Sequence, residues 1–211
     1  MANGTIGISQ INVLTTSGTG TLSIVPPATN TNRTLTLPDG TGTIVANGVN
    51  GSLVSGTAVA STSGTSIDFT GIPSWVKRIT VMFNGVSWNN TVAPLIQLGD
   101  SGGVETTGYS SIAGNSSTGS TASATAQTAG FGFQAGWDGT TLFSGSVIFS
   151  LLDASTNTWV GQGVFFADSS GTDYAVSMAG VKSLSATLDR VRITSTAAVT
   201  FDAGTINILY E

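Results

Sequence analysis

Apolar and polar residues alternate with a period of two in short runs along most of this 211-residue chain. In one run Trp75, Ile79, Val81 and Phe83 fall on one parity, and Arg78, Thr80 and Asn84 fall on the other. Val191 and Ile193 alternate with Arg190 and Arg192, and Ile206, Ile208 and Tyr210 keep the same rhythm. Successive side chains of a strand point to opposite faces, so this pattern predicts half-buried strands. Gly, Asn, Asp and Ser clusters separate the runs and read as turns. No window of a dozen residues keeps a helical apolar period, and the abundant Gly, Ser, Thr and Val are poor helix formers. The predicted class is all-β.

Pattern also assigns the core. Phe69, Phe83, Phe131, Phe133, Phe143, Phe149 and Phe165 sit at interior parities. The stretch Phe131 to Phe143, FGFQAGWDGTTLF, reads as a hairpin. A two-residue Asp138-Gly139 turn sets Phe133 across from Ser144. A three-residue loop, Trp137-Asp138-Gly139, sets it across from Phe143 and puts Gly139 where a left-handed conformation is wanted. The second register is preferred, and it places Trp137 at an exposed tip. Thr118–Thr128, rich in Ser, Thr and Ala, is either an edge strand or a loop.

The first fifty residues differ from the rest. They hold no aromatic residue and few apolar ones, among them Ile6, Ile8, Leu35 and Leu37. Gly18-Thr19-Gly20-Thr21-Leu22 recurs weakly as Gly40-Thr41-Gly42-Thr43-Ile44, but two copies do not make a free-standing solenoid. Residues 1–50 are therefore expected to form a β arm that buries its strands against another copy, the main domain or a partner surface. Ile6, Ile8, Leu35 and Leu37 are its expected buried contacts, with a partner surface or between copies. Residues 51–211, with strands at regular spacing, predict a β-sandwich, jelly-roll-like in topology.

Composition narrows the function. Charged residues make up 8% of the chain, against roughly a quarter in ordinary soluble domains. Six basic residues and a net charge of −5 give no footprint for phosphates, so no nucleic-acid partner is expected. The same balance argues against anionic lipid, and no apolar run approaches the roughly 20 residues of a membrane span. There is no cysteine, which excludes disulfides and thiolate metal sites. Met1-Ala2-Asn3-Gly4-Thr5 lacks the basic and apolar regions of a secretory signal, so synthesis in a cytoplasm is expected.

One stretch invites an enzyme reading. Gly99-Asp100-Ser101-Gly102-Gly103 matches the nucleophile segment of chymotrypsin-like serine proteases. Those enzymes need a histidine base, and this chain has no histidine. Lys77 and Lys182 sit in strand-like contexts without a matching hydrolase motif, so GDSGG reads as a Gly-rich turn after a strand at 94–98. Without His or Cys the usual zinc, copper and haem ligand sets are missing, and no cofactor is implied. Oxygen donors cluster at Asp168-Ser169-Ser170-Gly171-Thr172-Asp173, without EF-hand spacing. Trp88, Trp137 and Trp159 stand beside turn-forming residues. Such a ring stacks on sugar or anchors a protein contact when exposed, and otherwise packs beneath its own loop.

Two segments carry a resemblance. RTLTLPDGTGTIVANG, Arg33 to Gly48, resembles a short module of tailed-phage tail fibres and other virion surface proteins. GTSIDFTGIPSWVKRITVMFNGVSWN, Gly64 to Asn89, is similar to the start of distal β-sandwich modules in phage fibres and spikes. Together they span under half the chain. The resemblance implies a non-enzymatic homotrimer on the virion exterior, and it carries over no catalytic residue. Long shafts typical of host-reaching fibres are missing, since only about fifty residues precede the sandwich. The expected protein is thus a trimeric capsid decoration (cement) protein on the outer capsid surface, its intertwined arm gripping the major capsid protein. The alternative is a short tail fibre or tailspike tip that binds host surface glycan through Trp88, Trp137 or Trp159.

Overall fold

The computed structural model describes residues 11–14, 21–24, 53–117 and 122–211. The chain divides into two compact units, Met1–Thr43 and Ile44–Glu211. In the first, β1 (Ile11–Leu14) and β2 (Thr21–Ile24) pair antiparallel, with Ile11 opposite Ile24. Ile6, Ile8, Leu35 and Leu37, the Gly40–Ile44 repeat and the expected boundary after residue 50 lie outside the described residues.

The second unit is a β-sandwich. In chain order its strands are β3 (Val54–Ser55), β4 (Val59–Ala60), β5 (Ile67–Thr70), β6 (Arg78–Trp88), β7 (Pro94–Asp100), β8 (Gly103–Val104), β9 (Tyr109–Ser116) and β10 (Ser123–Gln127). They continue with β11 (Phe131–Gly132), β12 (Leu142–Asp153), β13 (Thr158–Ser169), β14 (Thr172–Ser183), β15 (Leu188–Ser195) and β16 (Phe201–Tyr210). The large sheet runs β10-β9-β14-β13-β12-β6-β16-β3, with β4 also on β16. The small sheet runs β11-β7-β15-β5, with β8 also on β7. Every pairing is antiparallel.

The pairings nest. β6 pairs with β16, β7 with β15, and β9 with β14, so early strands meet late ones in reverse order. This is the wrapping of a folded antiparallel ribbon, as in a jelly roll; the meander β12-β13-β14 then widens the large sheet. Val54 pairs with Tyr210, so chain enters and leaves the sandwich side by side.

Apolar parities meet between the two sheets. Ile79, Val81, Val147, Phe149, Val176, Val191, Ile193 and Ile206 are all fully sealed from solvent. Phe133 stands at the centre, its ring 4.2 Å from Phe165, 5.5 Å from Phe143 and 5.6 Å from Phe83 between centroids. Such tilted and edge-on pairs add to the free energy of area burial. Gly161 makes room for these rings: a Cβ there would lie 2.6 Å from the Phe149 ring and 3.0 Å from that of Phe131.

Four local expectations need correction. Phe131–Phe143 is not a hairpin. Phe131 pairs with Ile96 in the small sheet, whereas Phe143 lies in the large sheet between Val86 and Ala167. The segment between them crosses from layer to layer, so Phe133 and Phe143 touch through the core and not across a ladder. Trp137 is not at an exposed tip, because its backbone bridges Val92 and its ring turns inward. Gly139 is not left-handed; its missing Cβ admits the Asn90 backbone, 2.9 Å from where that carbon would be. Trp75 precedes β6 in a turn and packs half-buried against Tyr210, ring centroids 6.0 Å apart. Within Thr118–Thr128, Ser123–Gln127 is an edge strand.

Candidate functional site

The three tryptophans are interior. Trp88 ends β6 at 1% exposure, with Phe201 at 4.8 Å and Phe143 at 5.9 Å. Trp137 is 4% exposed and edge-on to Phe143 and Tyr174. Trp159 is 2% exposed and lies opposite Leu151 and Lys182 in neighbouring strands. Each packs beneath its own surroundings, and none offers a face to a sugar ring. Their indole N–H groups find no acceptor among the described residues. Trp88 escapes sequence reading as a strand residue because its polar neighbours Ser87, Asn89 and Asn90 mimic a loop. Pairing with Phe201 extends the strand to it.

GDSGG is the β7–β8 hairpin. Gly99 pairs with Val104 and Asp100 with Gly103, leaving Ser101-Gly102 as a two-residue turn. The Asp100 carboxylate accepts from the Ser185 hydroxyl at 2.6 Å and from the Gly102 amide at 2.8 Å, which hold its pKa below the usual carboxylate range. Lys182, a strand residue at 5% exposure, is ion-paired with Glu105 and stands 5.1 Å from the Tyr109 ring centroid. Burial pushes the Glu105 carboxyl up, but the Lys182 ammonium and the Ser185 donors overcome this and hold it low. Asp100, Glu105, Lys182 and Ser185 thus form one closed structural network, with Ser101 on the exposed turn beside it.

The oxygen-rich loop is also a hairpin turn. Ser170 (φ 51) and Gly171 (φ 82) are both left-handed, as a two-residue turn of the twisted kind requires. Asp138 reaches this turn from the crossover segment. Its carboxylate accepts from the Thr140 hydroxyl (2.6 Å) and amide (2.9 Å), and from the Ser170 hydroxyl (3.2 Å). These donors lower its pKa to about 2. Among the described residues no three acidic side chains converge on a metal position.

What distinguishes the surface is the contrast between its two sheet faces. Outside the small sheet lie ion pairs: Arg192 binds Asp68 through two bonds (2.7 and 2.9 Å), and Arg190 binds Asp189. Outside the large sheet, strands β9, β14, β13, β12 and β6 present a different row. Registers Val160↔Val181, Val164↔Ser177, Phe166↔Ala175 and Ser146↔Val164 place these residues on one outward face. Val164 is 63% exposed, Ile112 53% and Phe166 50%. Among the described residues charges stand only at its ends, Asp168 and Asp173 at one and Arg78, ion-paired with Glu211, at the other. Two depressions indent it, one beside Phe166 and one between Ile148 and Ala179.

Sequence reading passed over this face, although a signal was present. In Trp159–Ala167 both parities are mostly apolar, with Trp159, Phe165 and Ala167 inward and Val160, Val164 and Phe166 outward, Gln162 being the outward exception. A strand with one solvated face alternates; one covered on both faces does not. Comparison with protein-family models, with curated proteins and with solved structures returns no match to this chain.

Proposed function

We propose that this protein is a non-enzymatic structural component of a tailed-phage virion: a trimeric capsid decoration protein seated on the outer surface of the shell. The observation that carries the reading is where the segment resembling distal fibre modules falls. Gly64–Asn89 supplies β5 and β6, one strand to each sheet, shortly after β3 and β4 have joined the large sheet, so the resembling segment lies near the start of the sandwich. A surface with few charges and a chain without cysteine fit a rigid particle-surface protein. The arm before the sandwich holds the major capsid protein where capsomers meet. Because the complete site exists only in the assembled shell, binding stabilises the lattice by mass action, and three linked chains add avidity. The fibre-tip alternative loses its proposed glycan contacts, since Trp88, Trp137 and Trp159 are sealed.

The test is a copy number, obtained by quantifying this chain against the major capsid protein in purified virions. Hundreds of copies per particle are expected. A handful, confined to the tail or one vertex, would overturn decoration and favour the fibre tip.

A further inference from the structure

We infer that the outward face of the large sheet, centred on Val164 and Phe166, is the seat of a second copy of this chain. Contiguous exposed apolar patches on monomers rarely exceed a few hundred Å². Five strands about 4.8 Å apart and seven residues at about 3.4 Å each outline a plate of about 24 by 24 Å. Ser146, Gln162 and Ser177 stand among its apolar residues, and the whole plate, on the order of 600 Å², is at the low end of what each partner contributes to a specific interface, the size of a reversible contact. Of the exposed large hydrophobic residues among those described, Ile112, Ile148, Val160, Val164, Phe166 and Val181 all stand on it.

Charge narrows the occupant. The chain carries a net charge of −5, so two copies repel wherever acidic residues approach one another. They can meet closely only where charge is missing, and the interior of this face has none between the Asp168/Asp173 end and the Arg78 end. A basic partner would be met by carboxylates, and here it would find Ala175, Ser177 and Ala179 instead. Small residues beside a few large ones also suit sheet-on-sheet packing, in which two faces approach to about 10 Å. The small sheet, with its exposed Asp68–Arg192 pair, lacks these properties. The outward Val160, Val164 and Phe166 of β13 have the same explanation, since a second sheet covers them.

The inference rests on the proposed function only in expecting several copies; a tail location would leave it standing. Its test is sedimentation of the full chain at tens of micromolar, beside Val164→Lys/Phe166→Lys. Wild type is expected as an oligomer, and the folded double variant as a monomer or one associating at least tenfold more weakly. A second readout uses the cysteine-free background. Ser177→Cys, on the face, should react with a maleimide at least tenfold more slowly than Thr70→Cys on the other sheet, and dilution to monomer should equalise the two. A monomeric wild type, a folded double variant that keeps the wild-type mass, or equal labelling of both thiols in the oligomer would each overturn the assignment. In particular, an oligomer untouched by both lysines would be held by the arm or by another surface.

Discussion

Gly161 shows how one missing atom organises the centre of this protein. It faces the core from β13, and the Phe149 and Phe131 rings, 4.9 Å apart between centroids, occupy the volume that a side chain would fill. Gly161→Ala should therefore lower stability by about 1–3 kcal/mol, the usual cost of overpacking. A shift of the denaturant midpoint with an unchanged slope would check it. All seven phenylalanines assigned to the core from parity alone are buried at 9% exposure or less. The tryptophans were harder to place, because a ring at the end of a strand and a ring in a loop have the same polar neighbours. Only the long-range partners distinguish them: Phe201 for Trp88, and Val92 for Trp137.

At the scale of elements, side-chain acceptors do much of the joining. Asp138 ties the layer-crossing segment to the β13–β14 turn, and its pKa falls from 3.8 to about 2 in the folded protein. A carboxyl with a lowered folded pKa stabilises the fold above its unfolded value, near 4, and that contribution drains away as pH falls toward 2. Asp138→Asn should accordingly be less stable than wild type at neutral pH and show a shallower loss of stability between about pH 4 and pH 2. Asp100 and Glu105, held low by their own partners, keep the limb from becoming flat. Thermal unfolding across that range measures both effects. The strands around this junction were legible in the alternation of β6, β15 and β16. The hairpin expected at Phe131–Phe143 was not there, because an Asp-Gly turn between two aromatic runs looks the same whether the runs pair or enter opposite sheets. Local chemistry sets the bend, and the distant partners Leu95 and Ile96 set where the strand goes.

The whole sandwich is governed by its nesting. Ile79 cannot find Tyr210, nor Ile96 find Ile193, until most of the intervening chain has been gathered in. Loop closure precedes the contacts that reward it, which slows folding of non-local β topologies. Refolding from denaturant is expected in milliseconds to seconds or slower, well outside the microsecond range of helical bundles, as stopped-flow mixing can measure. No local pattern announces this topology, since alternation tells which side of a strand is buried but not which strand lies beside it. Among the described residues the molecule's surface obeys a similar division: charged only at the ends on the outside of one sheet, ion-paired across the outside of the other.

The pairing of Val54 with Tyr210 has a consequence for engineering. Residues paired across an antiparallel ladder lie only about 5 Å apart, so a short linker could join the end of β16 to the start of β3. New termini could then be opened at the Ser170–Gly171 turn, giving a circular permutant of the sandwich in which the ribbon is threaded from its middle. A passenger fused there would project from the tip of the β13–β14 hairpin, and the original entry point would become an ordinary loop.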